Sequence, residues 1–133
     1  MGVVNDMAQN TSPDASTTDL AGLVGDWLDW AGAADVLDLS VSRVRQLIKE
    51  HQLAAAVPVP GEGPKVPAEL LMDGEIVKGV AGVLTVMHDG LYDDTEAITW
   101  LFTPDDTLPG RPIDALRENR GSEVKRRVQA MAL

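Results

Sequence analysis

From Asp19 onward, apolar residues recur at three- and four-residue spacing: Leu20, Leu23, Val24, Trp27 and Leu28. That period predicts a helix with one buried side. A second predicted helix runs from about Trp30 to Leu37, and a third opens after Ser40, whose hydroxyl is suited to accept from the free amides of a first turn. At 100° per residue, Val41, Val44, Leu47 and Ile48 fall on one side of this third helix and Ser42, Arg45, Gln46 and Lys49 on the other. One side is core and one is free.

The pattern then changes period. "HQLAAAVPVPGEGPKVPAELL" offers a short apolar strand, a Gly-Glu-Gly turn flanked by prolines, and a second short strand around Lys65 and Val66. Helix, turn, helix and small hairpin is the order of a winged helix-turn-helix. From about Glu75 the sequence reads as more helix. "VAGVLTVMHDG" ends at Gly90, "DDTEAITWLFTPDD" starts with acids and stops before Pro104, and "RPIDALREN" has Pro112 in its first turn. In "SEVKRRVQAMAL", Val124, Val128 and Met131 share one side. The expected fold class is mostly α: a disordered tail (1–18), a winged helix-turn-helix with a small β-hairpin wing (19–74) and a C-terminal helical domain (75–133).

Composition narrows the functions open to such a chain. Its 133 residues are 44% hydrophobic, enough for one small folded unit or two that share a core. There is no cysteine, and two histidines alone cannot supply an ordinary zinc site, so no metal site and no cofactor are expected. No apolar run reaches the roughly 20 residues that span a bilayer, and no leader pattern is present, which predicts a cytoplasmic protein with no membrane partner. "PGEGP" has too few glycines for a phosphate loop, and His88-Asp89 has no nucleophile or second histidine near it in sequence. The chain is not expected to be an enzyme.

The formal charge of −10 counts against a polyanionic partner until its distribution is seen. Residues 1–42 and 79–110 hold thirteen acids and no Lys or Arg; every base lies in 43–78 or 111–133. Because exposed charges are screened beyond about 8–10 Å at physiological salt, a nearby duplex responds mainly to the block beside it. On the free side of the third helix, Arg45 and Lys49 suit guanine edges or phosphate, Gln46 suits adenine, and Ser42 a base edge or phosphate; Arg43, at the margin, suits phosphate, as does Lys65 in the wing. A plain solvated helix face is the other reading of the same residues. So few cations imply weak binding by one protomer, which a homodimer or the terminal basic residues Arg120, Lys125, Arg126 and Arg127 would strengthen, although cations also suit a helix C-terminal half. Trp27, Trp30 and Trp100 are expected in the core.

Two segments carry a family resemblance. "AADVLDLSVSRVRQLIKEHQLAAAVPVPGEGPKVPAELL" resembles the small winged helix-turn-helix of the excisionase and MerR-like type. "VAGVLTVMHDGLYDDTEAITWLFTPDDTLPGRPIDALRENRGSEVKRRVQAMAL" is similar to the C-terminal domain of a family of small actinobacterial DNA-binding proteins known from mycobacteria. The resemblance implies a reading helix at 41–50, a wing near 58–66, double-stranded DNA as partner, and a role in transcription regulation or nucleoid association. The turn before such a helix usually carries Gly where this chain has Asp38, which tolerates a left-handed backbone less well than Gly, so a strained turn is expected there. It also implies regulation by a Ser/Thr protein kinase, for which Thr11, Thr17 and Thr18 in the acidic tail are the candidate phosphorylation sites. "WLFTPDDTLPGRPIDAL" is more faintly similar to the toxin-binding domain of Xre-type antitoxins, which implies the alternative: a protein-interaction module whose C-terminal domain binds a protein partner.

Overall fold

A computed structural model describes residues 20–132; the tail and its threonines lie outside the described residues. The order is a helical segment at 20–24, β1 (Trp27–Leu28), α1 (Trp30–Leu37), α2 (Val41–Lys49), β2 (Val66–Pro67), a 3-10 turn (Ala68–Leu70), β3 (Leu71–Met72), β4 (Glu75–Ile76), α3 (Val80–Asp89), α4 (Asp94–Phe102), α5 (Pro112–Arg117) and α6 (Gly121–Met131). The fold is mostly α, with the helix-turn-helix, wing and helical C-terminal half that the pattern predicts.

α1 keeps its expected bounds because both ends are capped. Asp29 accepts from the Gly32 amide at 2.7 Å, and Asp38 closes the helix at φ 56, ψ 47. The strained turn is therefore real, and the Leu39 N–H returns to the Ala34 carbonyl at 3.0 Å, satisfying a carbonyl the helix end leaves free. Ser40 Oγ accepts from the Arg43 N–H at 3.0 Å and starts α2.

Three local expectations are corrected. The first concerns Leu20 to Leu28, which is not one helix: Gly25, at φ 84, ends the helical segment, and Trp27–Leu28 pair antiparallel with Pro67 and Val66. The apolar spacing merely continues through a change of structure. Second, the wing has no first strand of its own; only Ala56 bridges Lys65, with reciprocal backbone bonds of 3.0 and 2.8 Å. The third correction is that Glu75 does not begin a helix. Leu71–Met72 and Glu75–Ile76 form a hairpin around Asp73-Gly74, whose φ values of 55 and 78 are those a two-residue I′ turn requires.

One apolar cluster runs from Leu20 through Val44, Leu70 and Phe102 to Val128, so both halves share a core. Polar ties reinforce the join. Arg111 donates to both oxygens of Glu69 (2.7 and 3.3 Å) and both oxygens of Asp114 (2.7 and 3.0 Å), and lies over the Phe102 ring at 5.4 Å. Arg117 Nη1 donates to the Glu69 and Leu71 carbonyls at 2.8 and 3.0 Å. α3 ends as predicted, but Gly90 is not its left-handed residue; that is Leu91, at φ 72. Gly90 is needed for closeness: a Cβ there would stand 2.8 Å from the Ala132 Cβ at the end of α6.

The Arg111 guanidinium, helped by the Arg111 N–H, holds the Asp114 carboxyl below its ordinary value of 3.8 against the opposing effect of burial. A carboxyl depressed in the folded state gives stability that is present above its unfolded value and is lost as pH falls through the folded one. The unfolding temperature is thus expected to drop as pH falls below the ordinary carboxylate range, and Asp114→Asn to lose part of that acid dependence in thermal melts. Equal slopes for both proteins would count against a folded-state role for this carboxylate.

Candidate nucleic-acid interface

α2 is amphipathic for a simple reason: Val44 is fully buried, Leu47 and Ile48 are half-buried against the core, and the residues between them face out. Ser42, Arg43, Arg45, Gln46 and Lys49 are all exposed. Val41, placed on the core side by its angle, is instead 38% exposed. It stands in the first turn, where the helix leaves the core.

The exposed side chains differ in what already holds them. Glu50, the C-cap residue, accepts a 2.7 Å hydrogen bond from Gln46 Nε2 and lies 3.8 Å from Arg43 Nη1. Arg45 and Lys49 make no salt bridge among the described residues. They line a shallow groove with Ser42, Gln46, Ile48 and Trp30. Trp30 packs half-buried against the core, as its spacing predicts, and also walls this groove from the start of α1. No periodic signal separates these roles, because the groove is made by two helices crossing.

Lys65 stands at the base of the wing, 3.8 Å from Glu62, so an acid already attends its charge. The rest of the wing adds no cation: its leading arm exposes Val57 and Val59, both 42% exposed, and its Gly61-Glu62-Gly63 turn carries an acid. Trp27 and Trp100 are half-buried on the core, as expected.

The terminal basic block is largely committed to the fold. Arg120 pairs with Glu118 at 2.8 Å and approaches Glu123 at 3.9 Å. Arg127 donates to the Thr107 hydroxyl and carbonyl at 2.7 and 3.0 Å, and to the Glu123 carbonyl at 2.9 Å. Of the four cations there with a candidate role, only Lys125 and Arg126 are exposed and without a salt bridge among the described residues.

His88 does occupy a helix end, the last turn of α3. No second histidine lies near it in sequence, but the fold brings one through space: the His51 ring stacks on it at 3.7 Å. Among the described residues no helix is long and apolar enough to cross a membrane.

Comparison with known proteins agrees with this architecture in both halves. Residues 17–71 match a family described as "DNA-binding protein Rv2175c, wHTH domain", and residues 77–132 match "Rv2175c C-terminal domain of unknown function". A relative from Mycobacterium tuberculosis (strain ATCC 25618 / H37Rv), "DNA-binding protein Rv2175c", is 38% identical over 117 residues, covering 78% of this chain and 79% of the relative. The solved NMR structure of Rv2175c aligns with a TM-score of 0.74 at 37% identity, over 81% of this chain and 82% of that one. With both domain types in order and this identity over most of both lengths, the chain belongs to the Rv2175c family of winged helix-turn-helix proteins.

Proposed function

We propose that this chain binds double-stranded DNA, laying α2 in the major groove as a transcriptional or nucleoid-associated regulator. The observation that carries the reading is the placement of Arg45 and Lys49 on the open side of a Ser-capped second helix, exposed, with no salt bridge among the described residues and flanked by Ser42 and Gln46. The printed name of the relative, a DNA-binding protein, supports the same reading. In it, Arg45 and Lys49 meet base edges or phosphate, Gln46 and Ser42 complete the readout, and Arg43 and Lys65 meet phosphate.

With so few free cations, each protomer neutralises only a few phosphates, and affinity is modest and steeply salt-dependent. Dimerisation would double those contacts. Phosphate on Thr11, Thr17 or Thr18 would add about −1.5 to −2 charges apiece and weaken binding, which the same titration after Ser/Thr kinase treatment tests.

Electrophoretic shift of a duplex across a salt series is the direct test. A linear fall of log affinity with log salt is the expected result, and no shift even at low salt would favour the protein-interaction module instead. Glu50 supplies an internal check. Because it engages both Arg43 and Gln46, Glu50→Gln should raise affinity several-fold and steepen the salt slope by about one. Weaker binding by that variant would mean that Glu50 holds α2 in its reading geometry rather than competing with DNA.

A further inference from the structure

His51 follows α2 with its backbone in the left-handed region, at φ 61. This turn sends the imidazole toward the C-terminal half, where it stacks on His88 with ring centroids 3.7 Å apart and planes 21° from parallel. Nε2 of His88 is 2.7 Å from Oδ1 of Asp94, the first residue of α4. The other Asp94 oxygen accepts the Ala55 N–H at 3.2 Å. Three half-buried side chains from three places in the sequence thus meet at the joint between the reading helix and the C-terminal half.

Two features point to a missing ligand. One potential donor atom from each of His51, His88 and Asp94 lies within 4.8 Å of the other two. Nδ1 of His51 is shielded from solvent and has no hydrogen-bond partner, a state that buried polar atoms rarely keep without an ion or a water. Two imidazoles and one carboxylate are a donor set that zinc-like ions take readily, whereas calcium and magnesium prefer oxygen alone.

We propose that His51, His88 and Asp94 form a site for a divalent transition-metal ion of the zinc type, with water in the remaining position. The ion would clasp the end of α2 to the start of α4. Capture must move these side chains. Metal-to-ligand lengths near 2.0–2.2 Å at tetrahedral angles set ligand atoms about 3.4 Å apart, so the 2.7 Å His88–Asp94 pair has to spread. Imidazole lone pairs lie in the ring planes, so the stacked rings also have to open toward each other's edges. The inference is independent of DNA binding, since none of the three residues belongs to the exposed face of α2.

The test uses the full chain titrated with zinc chloride, followed by calorimetry and by the ring-nitrogen NMR signals of its two histidines. The expected result is one ion per chain that survives excess magnesium, with both histidine spin systems shifting together. His51→Asn, which keeps a residue tolerant of positive φ, and Asp94→Asn should each weaken binding about tenfold or more. No zinc binding, binding abolished by magnesium, unmoved histidine signals, or undiminished affinity in His51→Asn would each overturn the proposal. The wild-type NMR readout decides even if Asp94→Asn does not fold.

Discussion

Arg45→Ala combined with Lys49→Ala is expected to lower affinity for duplex DNA by about 2–4 kcal/mol, roughly 30- to 1000-fold at low salt, with the unfolding temperature nearly unchanged. Both side chains are exposed and neither has a salt-bridge partner among the described residues, so removing them takes nothing from the fold. The salt slope should become shallower by about two, one for each lost phosphate contact. Lys125→Ala with Arg126→Ala is the matched control, since it removes the same charge from the exposed side of α6 and should leave binding nearly intact. If the control pair loses as much as the α2 pair, the interface lies on the terminal helix and the assignment of α2 fails.

Phe102→Ala should destabilise the protein by about 3–5 kcal/mol, a fall of roughly 10–20 °C in the unfolding midpoint of a domain this size. Phe102 is the sole phenylalanine and is fully buried at the end of α4. Its ring supports the Arg111 guanidinium that ties Glu69 to Asp114. Truncation therefore opens a cavity and removes the floor beneath the ion pairs that join the two halves. A loss below about 1 kcal/mol in denaturant titration would mean that this core collapses to fill the space, and that the join does not depend on the ring.

The parts of this fold legible in the sequence are those fixed by local chemistry. α1 could be bounded because Asp29 and Asp38 are capping residues at the right places, and α2 because Ser40 precedes a run with one apolar side. The free side of α2 follows from the same period, which is why Ser42, Arg45, Gln46 and Lys49 were identifiable as a set. Trp27–Leu28 were not legible as a strand, because their partners lie forty residues away and their spacing continues that of the preceding helix. Asp73-Gly74 did carry a hairpin signal; the flanking strands are so short that no alternation develops.

What the sequence hides most completely is partnership through space. Glu50 looks like an ordinary helix end, yet it competes for two of the candidate contacts. Arg120 and Arg127 look like free cations, yet acids and carbonyls hold them. His51 and His88 are 37 positions apart with different neighbours, and only the crossing of the two halves stacks them. Charge counts set an upper bound on a basic surface, and the fold decides how much of it remains available.

The two hydrogen bonds from Arg117 have a bearing on any attempt to dissect the molecule. They end on the Glu69 carbonyl, in the 3-10 turn after β2, and on the Leu71 carbonyl, at the start of β3. A severed N-terminal half would surrender those acceptors to water, along with the Glu69 carboxylate's partner Arg111. The C-terminal half thus braces the segment that follows β2, and the N-terminal half taken alone is expected to be less rigid there than in the intact chain.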